Sequence, residues 1–124
     1  MNKVLLVLLG GGIGSMARYG TTLLAGRALG TGFAWGTLAV NLAGCFLIGI
    51  SLGLAERTTL MPPSLRLFFV TGFLGGLTTF SSYALETVVA ARGGAGPALA
   101  NFAANNVAGL ALVVAGLRTV QRLL

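Results

Sequence analysis

The sequence predicts an all-α membrane protein. Four transmembrane helices form one domain, residues 1–124, and the third helix is broken near mid-membrane. Three observations predict it. The chain is 56% hydrophobic and only 8% charged, with a mean hydropathy of +0.93. Soluble domains carry about 25% charged residues, so this chain cannot clothe a water-facing surface. Four apolar runs each reach the roughly 20 residues a helix needs to cross a bilayer. Within one of them the stretch "TGFLGGLTTFSSYALE", residues 71–86, carries a double glycine and the hydroxyls of Thr78, Thr79, Ser81 and Ser82.

The first span covers residues 4–26 and is interrupted only by Arg18. Its start, "MNKVLLVLLGGGIGSMA", imitates a secretory signal ending at Ser15-Met16-Ala17. Three further spans follow, so it is read as a retained helix. Gly12, Gly14 and Ala17 also imitate a dinucleotide-binding turn, but such a site needs an acidic residue about 20 positions on, and none precedes Glu56. The second span, 33–55, is uncharged, and "ERTTLMPPSLR" after it has the charge and prolines of a water-exposed loop. The third span, 66–91, includes Glu86, and "RGGAG" separates it from the fourth, 97–119, with Pro97 placed as the first helical residue. An even number of spans returns the chain to the side on which it started.

The net charge is +6 and the pI about 11.3. The cations are scattered between apolar runs, with no basic stripe and no interleaved aromatics. Lipid headgroups, and not nucleic acid, are the partner such a pattern fits. With both ends inside, Lys3, Arg57, Arg66, Arg118 and Arg122 face the cytoplasm, and Arg27, Arg92 and nearby Arg18 the far side. That bias is weak, and charge alone leaves insertion in either direction open. Cys45 is a lone cysteine in an apolar run and reads as a small buried hydrophobe. There is no histidine, hence no zinc or haem ligand set of the usual kind. No Ser/His/Asp or paired-carboxylate arrangement supports an enzyme.

Gly10 with Gly14, Gly49 with Gly53, Ala104 with Ala108 and Ala111 with Ala115 are spaced i,i+4. In lipid such faces let helices approach closely, within one bundle or across a subunit boundary. A bundle this small has little room for an internal aqueous path, so a transport site between two subunits is expected, and a two-fold dimer is the commonest symmetry. Asn41 lies midway along the second span with Thr37 on its face, and Asn101, Asn105 and Asn106 lie in the fourth. Amides and hydroxyls donate hydrogen bonds while remaining neutral. A row of them suits an anion that must shed water and still leave; each Asn alone also suits plain interhelical bonding. Gly75-Gly76 is expected to weaken the third helix, freeing carbonyls that could hold a hard cation such as Na⁺. Phe80 and Tyr83 stand beside that break, and an aromatic edge carries partial positive charge.

"GGGIGSMARY", "GTLAVNLAG" and "TGFLGGLTTFSSYALE" resemble the Fluc (CrcB) family of fluoride channels, in order and across all four spans. The resemblance implies an antiparallel, dual-topology homodimer in the cell (inner or plasma) membrane, with two fluoride pores and a structural Na⁺ shared by both chains. By motif position the sodium ligands would be the carbonyls of Gly75 and Thr78. The pore would be lined by Asn41, Phe80 and Tyr83, with Thr79, Ser82, Asn101 and Asn105 in the polar pathway. Arg18, Thr37 and Glu86 would be vestibule or structural residues. Two departures stand out: the family's second aromatic is usually Phe where this chain has Tyr83, and its fourth helix often has Tyr and Ser where this chain places Asn101 and Asn105. The implied activity is passive export of cytoplasmic F⁻, reducing fluoride toxicity. The competing reading is a small dual-topology, proton-coupled multidrug antiporter, which needs a membrane-embedded carboxylate, usually in the first helix; the first span has neither Asp nor Glu.

Overall fold

The computed structural model describes residues 2–124. Helix α1 is Lys3–Leu29, capped by the Asn2 side chain, which accepts from the Val4 N–H at 3.0 Å. Helix α2 is Trp35–Arg57. The third span consists of α3, residues 63–77, and α4, Phe80–Ala91, separated by an extended two-residue link. Helix α5 is Ala95–Leu123. Among the described residues there are four continuous apolar stretches long enough to cross a membrane, the third being Pro63–Ala91. The turns after α1 and α4 use Gly30 (φ 79°) and Gly94 (φ 122°), backbone shapes that a side chain would oppose.

Pro97 falls inside the first turn of α5, two residues later than its expected place at the helix start. The first N–H groups of a helix have no intrahelical acceptor, so proline is accommodated throughout that turn. The larger correction concerns the break. Gly75 keeps helical angles (φ −63°, ψ −36°), and the chain leaves the helix at Thr78 (φ −86°, ψ 155°) and Thr79 (φ −151°, ψ 121°). The double glycine does not break the helix, because packing decides its conformation. Gly76 lies against the Gly11 backbone of α1, so close that an added Cβ would overlap the Gly11 carbonyl.

Two dry seams follow from such contacts. Along α1–α3, Gly14 meets the Phe73 carbonyl and Gly76 meets Gly11. Along α2–α5, Gly49 meets the Val113 carbonyl and Gly116 the Phe46 carbonyl. Backbones this close gain dispersion contacts that lipid tails cannot supply. Val40, Leu74 and Leu77 form the small buried core between α2 and α3, with Phe69 and Phe73 stacked at 5.4 Å beside it. The outer surface is apolar (Val4, Leu8, Met16, Leu85, Val107 and Leu110 are all exposed), as a lipid-facing surface must be.

Two stretches widen to π-helix: Leu67–Leu74 in α3 and Ala104–Ala108 in α5. Isolated π turns inside α-helices concentrate at functional sites. The second holds Asn105 and Asn106, and both line one cavity.

Candidate functional site

The two extended residues at the break need partners for their backbone groups, because no water is at hand inside a bilayer. Asn41 of α2 supplies those of Thr79. Its Oδ1 accepts from the Thr79 N–H at 2.9 Å, and its Nδ2 donates to the Thr79 carbonyl at 3.1 Å. Thr79 caps α4, its Oγ1 accepting from the Ser82 N–H at 3.2 Å. Thr78 Oγ1 turns back to the Leu74 carbonyl at 2.9 Å, and its methyl packs onto Gly44. From the α1 side, Arg18 Nε donates to the Gly76 carbonyl at 3.0 Å.

These bonds divert two donors. The N–H four residues beyond Gly75 is that of Thr79, which goes to Asn41. The N–H four residues beyond Thr78 is that of Ser82, which goes to Thr79 Oγ1. The Gly75 and Thr78 carbonyls therefore lose their usual helical donors. Gly75 is exposed on the outer face, with nothing near the position of a Cβ.

From Asn41 a chain of hydrogen bonds runs along α5. Asn41 Nδ2 also donates to Asn105 Oδ1 at 2.9 Å. Asn105 Nδ2 donates to the carbonyl and Oδ1 of Asn101, at 3.0 and 3.1 Å. Asn101, 2% exposed, donates to Thr87 Oγ1 at 2.8 Å, and Thr87 donates to the Tyr83 carbonyl. Tyr83 is buried, and its hydroxyl oxygen accepts from Asn106 Nδ2 at 2.8 Å. Phe80 packs edge-on against the Tyr83 ring (centroids 5.4 Å, 63°) but is 77% exposed. Thr37, buried on α2, donates to Glu86 Oε1 at 2.7 Å; Glu86 Oε2 is buried with no partner among the described residues.

The ladder joins two cavities. One of about 580 Å³ is lined by Thr22, Trp35, Thr37, Glu86 and Asn101, near the α1–α2 turn. Another of about 370 Å³ is lined by Asn41, Thr78, Thr79, Phe80, Tyr83 and Asn105. Asn101 borders the first and Asn105 the second, and they are bonded to one another.

The sequence-predicted polar residues thus gather in one place, with one amendment. The amide protons of Asn41 and Asn105 are already given to protein acceptors, so these side chains form a framework and not a row of free donors. Glu86 and Thr37 sit together at the larger cavity, Arg18 reaches the break from α1, and Ser82 accepts from Thr79 Oγ1. Sequence reasoning missed the role of Thr87, which links Asn101 to the α4 backbone. Its spacing from Tyr83, i,i+4, is the signal for the second of those bonds; no local signal marks the first.

A family model described as CrcB-like protein, Camphor Resistance (CrcB), matches residues 5–117. A curated relative from Salinibacter ruber (strain DSM 13855 / M31), named fluoride-specific ion channel FluC, is 46% identical over 117 residues, 94% of this chain and 87% of its own length. A protein of the same name from Rhizobium johnstonii (strain DSM 114642 / LMG 32736 / 3841) is 42% identical over 124 residues, 99% of each chain. Another, from Agrobacterium fabrum (strain C58 / ATCC 33970), is 45% identical over 118 residues, 94% of each.

Proposed function

The chain belongs to the CrcB-like protein family, and on that premise we propose that it works as a fluoride-selective passive channel that exports cytoplasmic F⁻ and so lowers fluoride toxicity. It is a multi-pass membrane protein and not an enzyme. The observation that carries the reading is the ladder of neutral side chains, anchored on the Asn41–Thr79 bonds, that joins two cavities without a cation inside it. A lysine there would hold an anion too tightly to conduct, whereas neutral dipoles let it enter and leave. Fluoride is small and a strong acceptor, so a donor or a ring edge held at close range by this framework offsets more of its lost hydration than it does for chloride.

The functional unit is an antiparallel homodimer. Phe80 supports this: a large ring 77% exposed beside the cavity is half of a wall that a second copy would complete. The Gly75 and Thr78 carbonyls, relieved of their helical donors, fit a sodium ion shared by the two copies. When bound, Na⁺ would supply a fixed positive charge between the broken helices. This chain's own residues do the rest. Asn41 holds the link extended, Arg18 fixes the last turn of α3, and Thr37 orients Glu86 at the cavity mouth.

Purified protein in liposomes should release fluoride on addition of a potassium ionophore, leave chloride inside, and lose activity when Na⁺ is withheld throughout preparation. No fluoride release, or equal chloride release, would sink the proposal.

A further inference from the structure

We infer that the Tyr83 hydroxyl is a hydrogen-bond donor to fluoride at the aromatic step of the path, and that Asn106 is the positioning residue that leaves that proton free. The inference deepens the channel reading and rests on it. Asn106 Nδ2 lies 2.8 Å from the Phe102 carbonyl oxygen and 2.8 Å from Tyr83 Oη. A carbonyl oxygen only accepts, so the amide must turn its nitrogen toward Phe102. The same nitrogen then gives its other proton to Tyr83, and Tyr83 Oη accepts. The phenolic proton is left over, with no acceptor among the described residues.

The neighbours make that proton unusual. The cavity of about 370 Å³ is lined by Asn41, Thr78, Thr79, Asn105 and Asn106 as well as Tyr83. Asn41 gives its amide protons to Thr79 and Asn105, and Asn105 gives its own to Asn101. Thr78 donates to Leu74, Thr79 to Ser82, and Asn106 to Phe102 and Tyr83. The uncommitted strong donor facing this space is the phenol, more acidic than an amide or an alkyl hydroxyl. A buried donor without a partner needs one, and an anion in the cavity provides it. At this position a phenylalanine would offer only a ring edge.

The test measures fluoride efflux from liposomes against internal fluoride concentration for the wild type and Tyr83→Phe. Loss of one hydrogen bond to a charged group should raise the half-saturating concentration about tenfold, with maximal flux kept or increased. If the wild type conducts and Tyr83→Phe saturates at the same concentration, the inference fails and the channel reading stands. If the wild type itself releases no fluoride, the channel reading fails and the inference with it. A spectroscopic arm keeps the Tyr83 side chain itself. Tyr19 is 68% exposed and is the other tyrosine; Tyr19→Phe leaves Tyr83 to be read alone. Fluoride, and not chloride, should red-shift the near-ultraviolet tyrosine absorbance, and adding Asn106→Leu should move that titration to higher fluoride. No fluoride-dependent shift overturns the inference; a titration unmoved by Asn106→Leu overturns the part given to Asn106.

Discussion

The third span is held in two different ways on either side of Thr78. Before it, α3 is held chiefly by shape, with one side-chain bond from Arg18: Gly76 presses on the Gly11 backbone and the Phe73–Leu77 turn on Gly14, leaving no room for a methyl group on Gly76 or Gly14. Beyond it, α4 is held by hydrogen bonds from Asn41, Thr79, Asn101 and Asn106. Close packing is short-ranged and tolerates no added volume. Polar bonds in a low-dielectric interior tolerate small changes of volume but not the loss of a partner. The break lies where one kind of support gives way to the other, and there backbone polar groups become available to something other than the helix.

The largest effect should come from the junction. Asn41→Leu keeps the volume and removes both bonds to Thr79. An unpaired buried N–H or carbonyl costs about 1–3 kcal/mol each. The variant should therefore lose several degrees or more of thermal stability in detergent and all measurable fluoride efflux. Wild-type stability would mean that another group holds the link.

Next comes the packed half. Gly76→Ala places a Cβ where the Gly11 backbone already stands, and overpacking of this kind costs about 1–3 kcal/mol. Gly12→Ala, one position further along α1, meets nothing within 4 Å and points outward. In a helix interior that exchange should be neutral or stabilising by up to about 1 kcal/mol. Thermal melts of the pair sharpen the comparison: equal shifts would mean that α1–α3 contact is looser than its geometry.

Much of this was legible in the chain itself. The spans follow from apolar run length, and Asn41, Asn101 and Asn105 stood out because amides are rare and costly in such runs. The position of the break was not legible. Glycine weakens a helix locally, but Gly75 and Gly76 stay helical, with Gly76 pressed against α1, and the helix opens where Asn41, far away in sequence, takes the Thr79 N–H. Nor could sequence reveal that the asparagines spend their protons on one another, since that depends on which helix faces land together. The widening at Ala104–Ala108, which turns both Asn105 and Asn106 to one cavity, has no counterpart in residue periodicity.

The smallest effect should come from Glu86, at the far end of the polar half. Glu86→Gln keeps a carbonyl oxygen at the place where Thr37 donates. The other position, Oε2, is buried without a partner, so the exchange removes no bond there. An amide is also cheaper to keep out of water than a carboxylate. Stability should change by about 1 kcal/mol or less, and fluoride efflux should persist, because no step of a passive channel needs a proton carried on this side chain. An antiporter with its embedded carboxylate at Glu86 would behave oppositely and lose proton-coupled cation uptake with the same substitution. Measuring fluoride efflux and proton-coupled uptake on one preparation therefore separates the two kinds of protein. Loss of fluoride efflux with folding intact would move Glu86 from the rim of the path to its working part.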